Sequence, residues 1–83
     1  MENIIVEITL AATGEVVDFM LPAHVPVGEM IGDLTRLVEQ VYQQITYSGE
    51  QPVLCNQSEG RMIPLDITLA QAGVQDGHKL ILV

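Results

Sequence analysis

The chain has 83 residues, enough for one domain, and it is 48% hydrophobic with 17% charged residues, which excludes an intrinsically disordered polypeptide. Eleven acidic side chains against three basic ones give a formal charge of −8, a balance that repels nucleic-acid phosphates and anionic lipid headgroups. No apolar run approaches the roughly 18 to 20 residues that span a bilayer, Met1-Glu2-Asn3 lacks the basic segment of a signal peptide, and the single Cys55 permits no internal disulfide, so the expectation is a cytoplasmic protein.

Residues 4 to 10 alternate, with Ile4, Val6, Ile8 and Leu10 on one face and Ile5, Glu7 and Thr9 on the other, the pattern of a half-buried strand. A short turn containing Gly14 leads into a second alternating run, Val16 to Leu21, with Val17, Phe19 and Leu21 inward, and the two runs predict a hairpin. Beyond Pro22 and Pro26, apolar residues fall at Val27, Met30, Ile31, Leu34, Leu37, Val38, Val41, Tyr42 and Ile45. Those spacings of three and four predict one long amphipathic helix, with Pro26 tolerated at its start and Glu29 and Asp33 toward the positive end of its dipole. Gly32 inside that helix costs about 1 kcal/mol relative to Ala, and marks either a close approach of the strands or a tolerated position.

A loop follows over 46–52, then a short strand Val53 to Asn56, a turn at 57–60 and a strand starting at Arg61, which Pro64 keeps short and at an edge. Leu65 to Leu69 reads as an extended or turn-like crossing, Leu69 to Ala72 as a single helical turn ended by Gly73, and Asp76-Gly77 as the launch of a final strand from Lys79 to Val83. The predicted class is α+β: a ββαββ mixed sheet packed on one helix, within a single domain spanning 1–83, the last strand lying parallel to the first at the sheet centre. This is the β-grasp arrangement.

Two segments resemble a known family. Leu21-Pro-Ala-His-Val-Pro-Val-Gly-Glu-Met-Ile31 is similar to the helix entry, and Thr68-Leu-Ala-Gln-Ala-Gly-Val-Gln-Asp-Gly77 with the strand after it is similar to the ending, of the YukD/EsaB family. These are small ubiquitin-like proteins of bacterial type VII secretion systems, whose fold recurs as the cytosolic domain of EccD. The resemblance implies a non-catalytic accessory or regulatory component acting through protein contacts, with a secretion ATPase or a membrane component of the apparatus as partner. Ubiquitin itself and the sulfur carriers continue past the last strand into a Gly-Gly tail, which is not found after Val83, so a conjugated modifier is not expected. The competing readings are a ubiquitin-like adaptor of an unrelated pathway and a tail-less sulfur-carrier or modifier protein.

The residues carry little sign of catalysis. Cys55 needs a neighbouring base to be a nucleophile, and His24 and His78 fall far apart in this topology. Two histidines, one cysteine and dispersed carboxylates lack metal-ligand spacing, Glu29 and Asp33 read as a solvated helix face, and Lys79 as a solubilising charge. The stretch Gly73 to Gly77 lacks the Lys and Ser or Thr of a phosphate loop and precedes a strand rather than a helix. No enzyme activity, cofactor or metal is expected.

Binding is the remaining class, and its candidate residues are apolar side chains on the face that alternation turns outward. Ile81 and Val83 oppose the inward Leu80 and Leu82, and with Ile5 and either Leu54 or Cys55 they form a prospective patch on the outer sheet face. Arg61, beside Met62, is a prospective anchor.

Overall fold

The structure is a computed structural model and describes residues 2–42, 52–57 and 59–83. Among these residues five strands and one helix follow in the order β1 (Asn3–Leu10), β2 (Val16–Pro22), α1 (Val27–Val41), β3 (Leu54–Asn56), β4 (Arg61–Met62) and β5 (Lys79–Leu82). The sheet order is β2-β1-β5-β3-β4. β1 is antiparallel to β2 and parallel to β5, while β3 runs antiparallel to both β5 and β4. The expected β-grasp topology is therefore realised, with the last strand beside the first at the sheet centre.

The core lies between the sheet's inner face and α1. Ile4, Val6, Ile8 and Leu10 from β1, Leu54 from β3 and Leu80 and Leu82 from β5 meet Val27, Met30, Ile31, Leu34 and Val38 of the helix, all of them buried. Aliphatic packing of this kind supplies most of the folding free energy. The helix is shorter than its periodicity predicts: it ends at Val41, and Ile45 and the 46–51 part of the expected loop lie outside the described residues. Leu37 is exposed and Val41 is 70% exposed, so the buried stripe is narrower than the apolar spacing and excludes both.

The helix start has no side-chain cap. The Val27 and Gly28 N–H groups donate instead to the Ile67 and Leu65 carbonyls at 2.9 and 2.8 Å, and those of Glu29 and Met30 donate to the Pro26 carbonyl. The chain around 65–68 thus serves as a backbone cap for donors that a helix leaves unpaired, and Pro26 forms an isolated bridge with Thr68. Gly28 is the position that permits this approach. A Cβ there would lie 3.1 Å from the Leu65 carbonyl oxygen, whereas one at Gly32 meets nothing within 4 Å. Of the two readings of Gly32, tolerance holds.

The crossing that follows is held by two local devices. The Thr68 hydroxyl accepts from the Gln71 N–H at 3.1 Å, and the Gln71 side-chain oxygen accepts from the Thr68 N–H at 2.9 Å, a reciprocal capping box. At the other end Gly73 has φ 79°, the Val74 N–H donates to the Leu69 carbonyl and the Gly73 N–H to Ala70, a Schellman ending. Leu69 and Val74, which such an ending brings together, are both buried. The motif Leu-x-x-x-Gly-Val is therefore a capped turn whose two apolar ends plug the core.

Candidate protein-binding face

Register decides what the outer sheet face presents. Thr9 pairs with Val16 on one side and Ile81 on the other, Ile81 with Cys55, and Cys55 with Met62. Directly paired residues share a face, so Val16, Thr9, Ile81, Cys55 and Met62 form one row crossing all five strands. Val53 and Val83 exchange two backbone hydrogen bonds, of 3.2 and 2.9 Å, and extend the apolar surface one step beyond Cys55 and Ile81. Ile81 and Cys55 are half-buried by their neighbours, while Val83 is 56% and Met62 57% exposed.

A polar row borders this surface. Asp18 pairs with Glu7 and Glu7 with Lys79. The Lys79 Nζ lies 3.9 Å from a Glu7 carboxylate oxygen, both side chains being substantially exposed, so the pair contributes little to stability. Beyond that row Ile5 pairs with Met20, and both are exposed.

Two expectations need correction. Leu54 pairs with Leu82 on the inner face and is 0% exposed; it is a core residue, and Cys55 is the outward member of β3. Ile5 is outward, yet the Asp18–Glu7–Lys79 row separates it from Ile81 and Val83, so it does not merge with them. Arg61 pairs with the buried Asn56 and so emerges from the sheet on the side opposite Cys55. There it borders a cleft of about 160 Å³ lined also by Met62, Ile63, Pro64, Ile67 and Ala72, well below the roughly 300 Å³ at which small-molecule sites begin.

The residues that alternation alone left out are Val16, Val53 and Met62. Val16 was legible as the outward neighbour of Val17, but Val53 and Met62 needed the register of β3 and β4, which two- and three-residue strands do not reveal.

Among the described residues the titratable groups do not converge on one site. The His24 Nε2 lies 2.8 Å from a Glu2 carboxylate oxygen, and the His78 Nδ1 accepts from the Gln75 N–H within a turn. Among the described residues no three His, Cys, Asp or Glu side chains are grouped to hold a metal ion, and no helix is long and apolar enough to cross a membrane. Near the end of the helix the Glu15 carboxylate, hydrogen-bonded to the Tyr42 phenol, raises that phenol's pKa above its usual value.

Comparisons with known proteins agree with this architecture. The EccD5 ubiquitin-like domain from Mycobacterium xenopi superposes with a TM-score of 0.84 at 24% identity, covering 100% of this chain and 94% of that one. The ubiquitin-like domain of the Mycobacterium tuberculosis type VII secretion system protein ECCD1 gives 0.81 at 25% identity, covering 100% and 99%. A chain of the MycP5-free ESX-5 inner membrane complex gives 0.84 at 21% identity, with 100% of this chain matching 21% of that one. No curated protein matches the chain by sequence. The family model described as the WXG100 protein secretion system (Wss) protein YukD matches residues 5–82, and the chain belongs to that family of ubiquitin-like secretion-system components.

Proposed function

We propose that this protein is a non-catalytic cytoplasmic component of a WXG100 (type VII) secretion apparatus that works by docking its outer sheet face on a membrane or ATPase component of that apparatus. The carrying observation is the cross-strand row Val16–Thr9–Ile81–Cys55–Met62, apolar but for Thr9, with Val53 and Val83 beside it. Apolar surface collected into one strip and rimmed by charge is the composition of an interface core, and the overall charge of −8 favours encounter with a basic partner surface. The ubiquitin-like neighbours include a chain of an inner membrane complex, which supports a partner of that kind. Adaptors of unrelated pathways and tail-less sulfur carriers are not favoured by the family membership.

Met62→Asp and Val83→Asp test the reading, because both side chains are more than half exposed and tolerate a charge without burying it. Tagged wild-type protein purified from gently solubilised host cells is expected to carry secretion-apparatus components that both folded variants lose. Retention of those components by both variants contradicts the docking face.

A further inference from the structure

The backbone of β2 has an unpaired side. The Leu10 N–H donates to the Glu15 carbonyl and the Ala23 N–H to Glu2, which fixes the phase of the β1–β2 ladder. Hydrogen bonds in an antiparallel pair link alternate residues, so Ile4, Val6 and Ile8 bond with Leu21, Phe19 and Val17. The intervening residues of β1 turn toward β5, as the Glu7 N–H to His78 and Gly77 N–H to Ile5 bonds show. By the same alternation Val16, Asp18 and Met20 turn their N–H and C=O groups away from the sheet. β2 is an edge of the sheet, and among the described residues no strand pairs with those groups.

The side chains at these positions are Val16 and Met20, both exposed, with Asp18 between them. Asp18 directly faces Glu7, a like-charge pair at a non-hydrogen-bonded position where side chains stand closest, which is destabilising. The Lys79 ammonium lies on the far side of Glu7, in the neighbouring strand, and leaves Asp18 uncompensated.

We propose that the β2 edge accepts an extended segment of a partner protein as a sixth strand, in a register that sets a Lys or Arg beside Asp18 and apolar residues beside Val16 and Met20. Main-chain bonds to an exposed edge supply the affinity and alternate side chains the specificity. The basic residue completes a charge row that the domain leaves unbalanced. A second copy of this chain is a poor occupant: two-fold pairing of β2 centred on residue 18 sets Asp18 against Asp18, between molecules that each carry −8. This edge adjoins the docking face at Val16, but its test reads outward backbone groups of β2, which the Met62 and Val83 variants do not touch.

The probe is the capped peptide acetyl-Thr-Val-Thr-Lys-Thr-Val-Thr-amide, symmetric in pattern so that either strand direction gives the same register, with a Glu-centred version as control. Amide NMR and hydrogen exchange on the intact protein are expected to show the Val16, Asp18 and Met20 amides shifting and gaining protection with the Lys peptide. Met20→Pro removes one outward donor without touching the ladder to β1, a position where proline is tolerated, and is expected to weaken binding by roughly tenfold. Asp18→Lys is expected to reverse the preference toward the Glu peptide, and it carries the test if the proline variant does not fold. Three results overturn the proposal: no response at millimolar Lys peptide, shifts confined to β3 to β5, or sedimentation showing a dimer that Met20→Pro disrupts.

Discussion

The Asp76 carboxylate accepts the Ile5 backbone N–H at 2.8 Å, joining residues 71 positions apart in the chain. With the Gly77 N–H donating to the Ile5 carbonyl at 2.8 Å, it gives β1 a partner just where β5 has not yet begun. The Asp-Gly pair thus does two jobs: its carboxylate substitutes for a missing strand, and Gly77 at φ 84° makes the turn that places it. Asp76→Ala is expected to lower stability by about 1 to 2 kcal/mol, and Asp76→Asn, which keeps an acceptor oxygen, by less, both read from urea midpoints.

The two glycines of the helix are expected to respond in opposite directions. Gly32→Ala, with open space around the added methyl, is expected to stabilise by about 0.4 to 1 kcal/mol. Gly28→Val forces its branched side chain onto Leu65, whose carbonyl also caps the helix, and is expected to destabilise by about 1 to 3 kcal/mol. Thermal unfolding of the two variants side by side gives the signs.

Adjacent positions of β3 separate core from surface. Leu54→Ala removes a fully buried side chain and is expected to cost about 2 to 5 kcal/mol, whereas Cys55→Ser, half-buried on the outer face, is expected to cost under about 1.5 kcal/mol. Equal losses from the two in denaturant unfolding contradict the register of β3 against β5.

Tyr42 and Glu15 give a pH signature. The carboxylate holds the phenol's pKa above its ordinary value in the folded protein, so the folded state retains the proton longer than the unfolded chain does. The associated stability is present below the unfolded pKa of about 10 and is lost as pH rises through the folded one. In a Tyr47→Phe background, absorbance titration is expected to place Tyr42 above its ordinary value, and Glu15→Gln to bring it back down.

Much of the fold was legible because its signals are local. Alternation in β1, β2 and β5 gave their inward faces, the three-four spacing gave the helix, and Leu69, Gly73, Val74 and Asp76-Gly77 gave the ending. What sequence did not show depends on register and approach. Leu54 and Cys55 are neighbours in a run too short to fix a face, and only pairing with β5 assigns them. The predicted stripe overran the observed burial at Leu37 and Val41 because apolar spacing reports what is able to pack, not what the sheet is wide enough to cover. The sequence singles out Gly32, leaving close approach and tolerance open, and says nothing of Gly28, since a close approach is a property of the partner chain at Leu65. The merging of Ile5 with Ile81 failed for the same reason: only the cross-strand row through Glu7 shows the charges that divide them.

The most direct test of the docking face is site-specific photo-crosslinking in host cells, with the crosslinker placed in turn at Met62 and Val83 on the outer sheet face and at Leu37 and Val41 on the exposed side of the helix. The account predicts that the first two capture a component of the secretion apparatus and the helix positions do not. Capture of that component from Leu37 and Val41 alone contradicts it and moves the interface to the opposite side of the molecule.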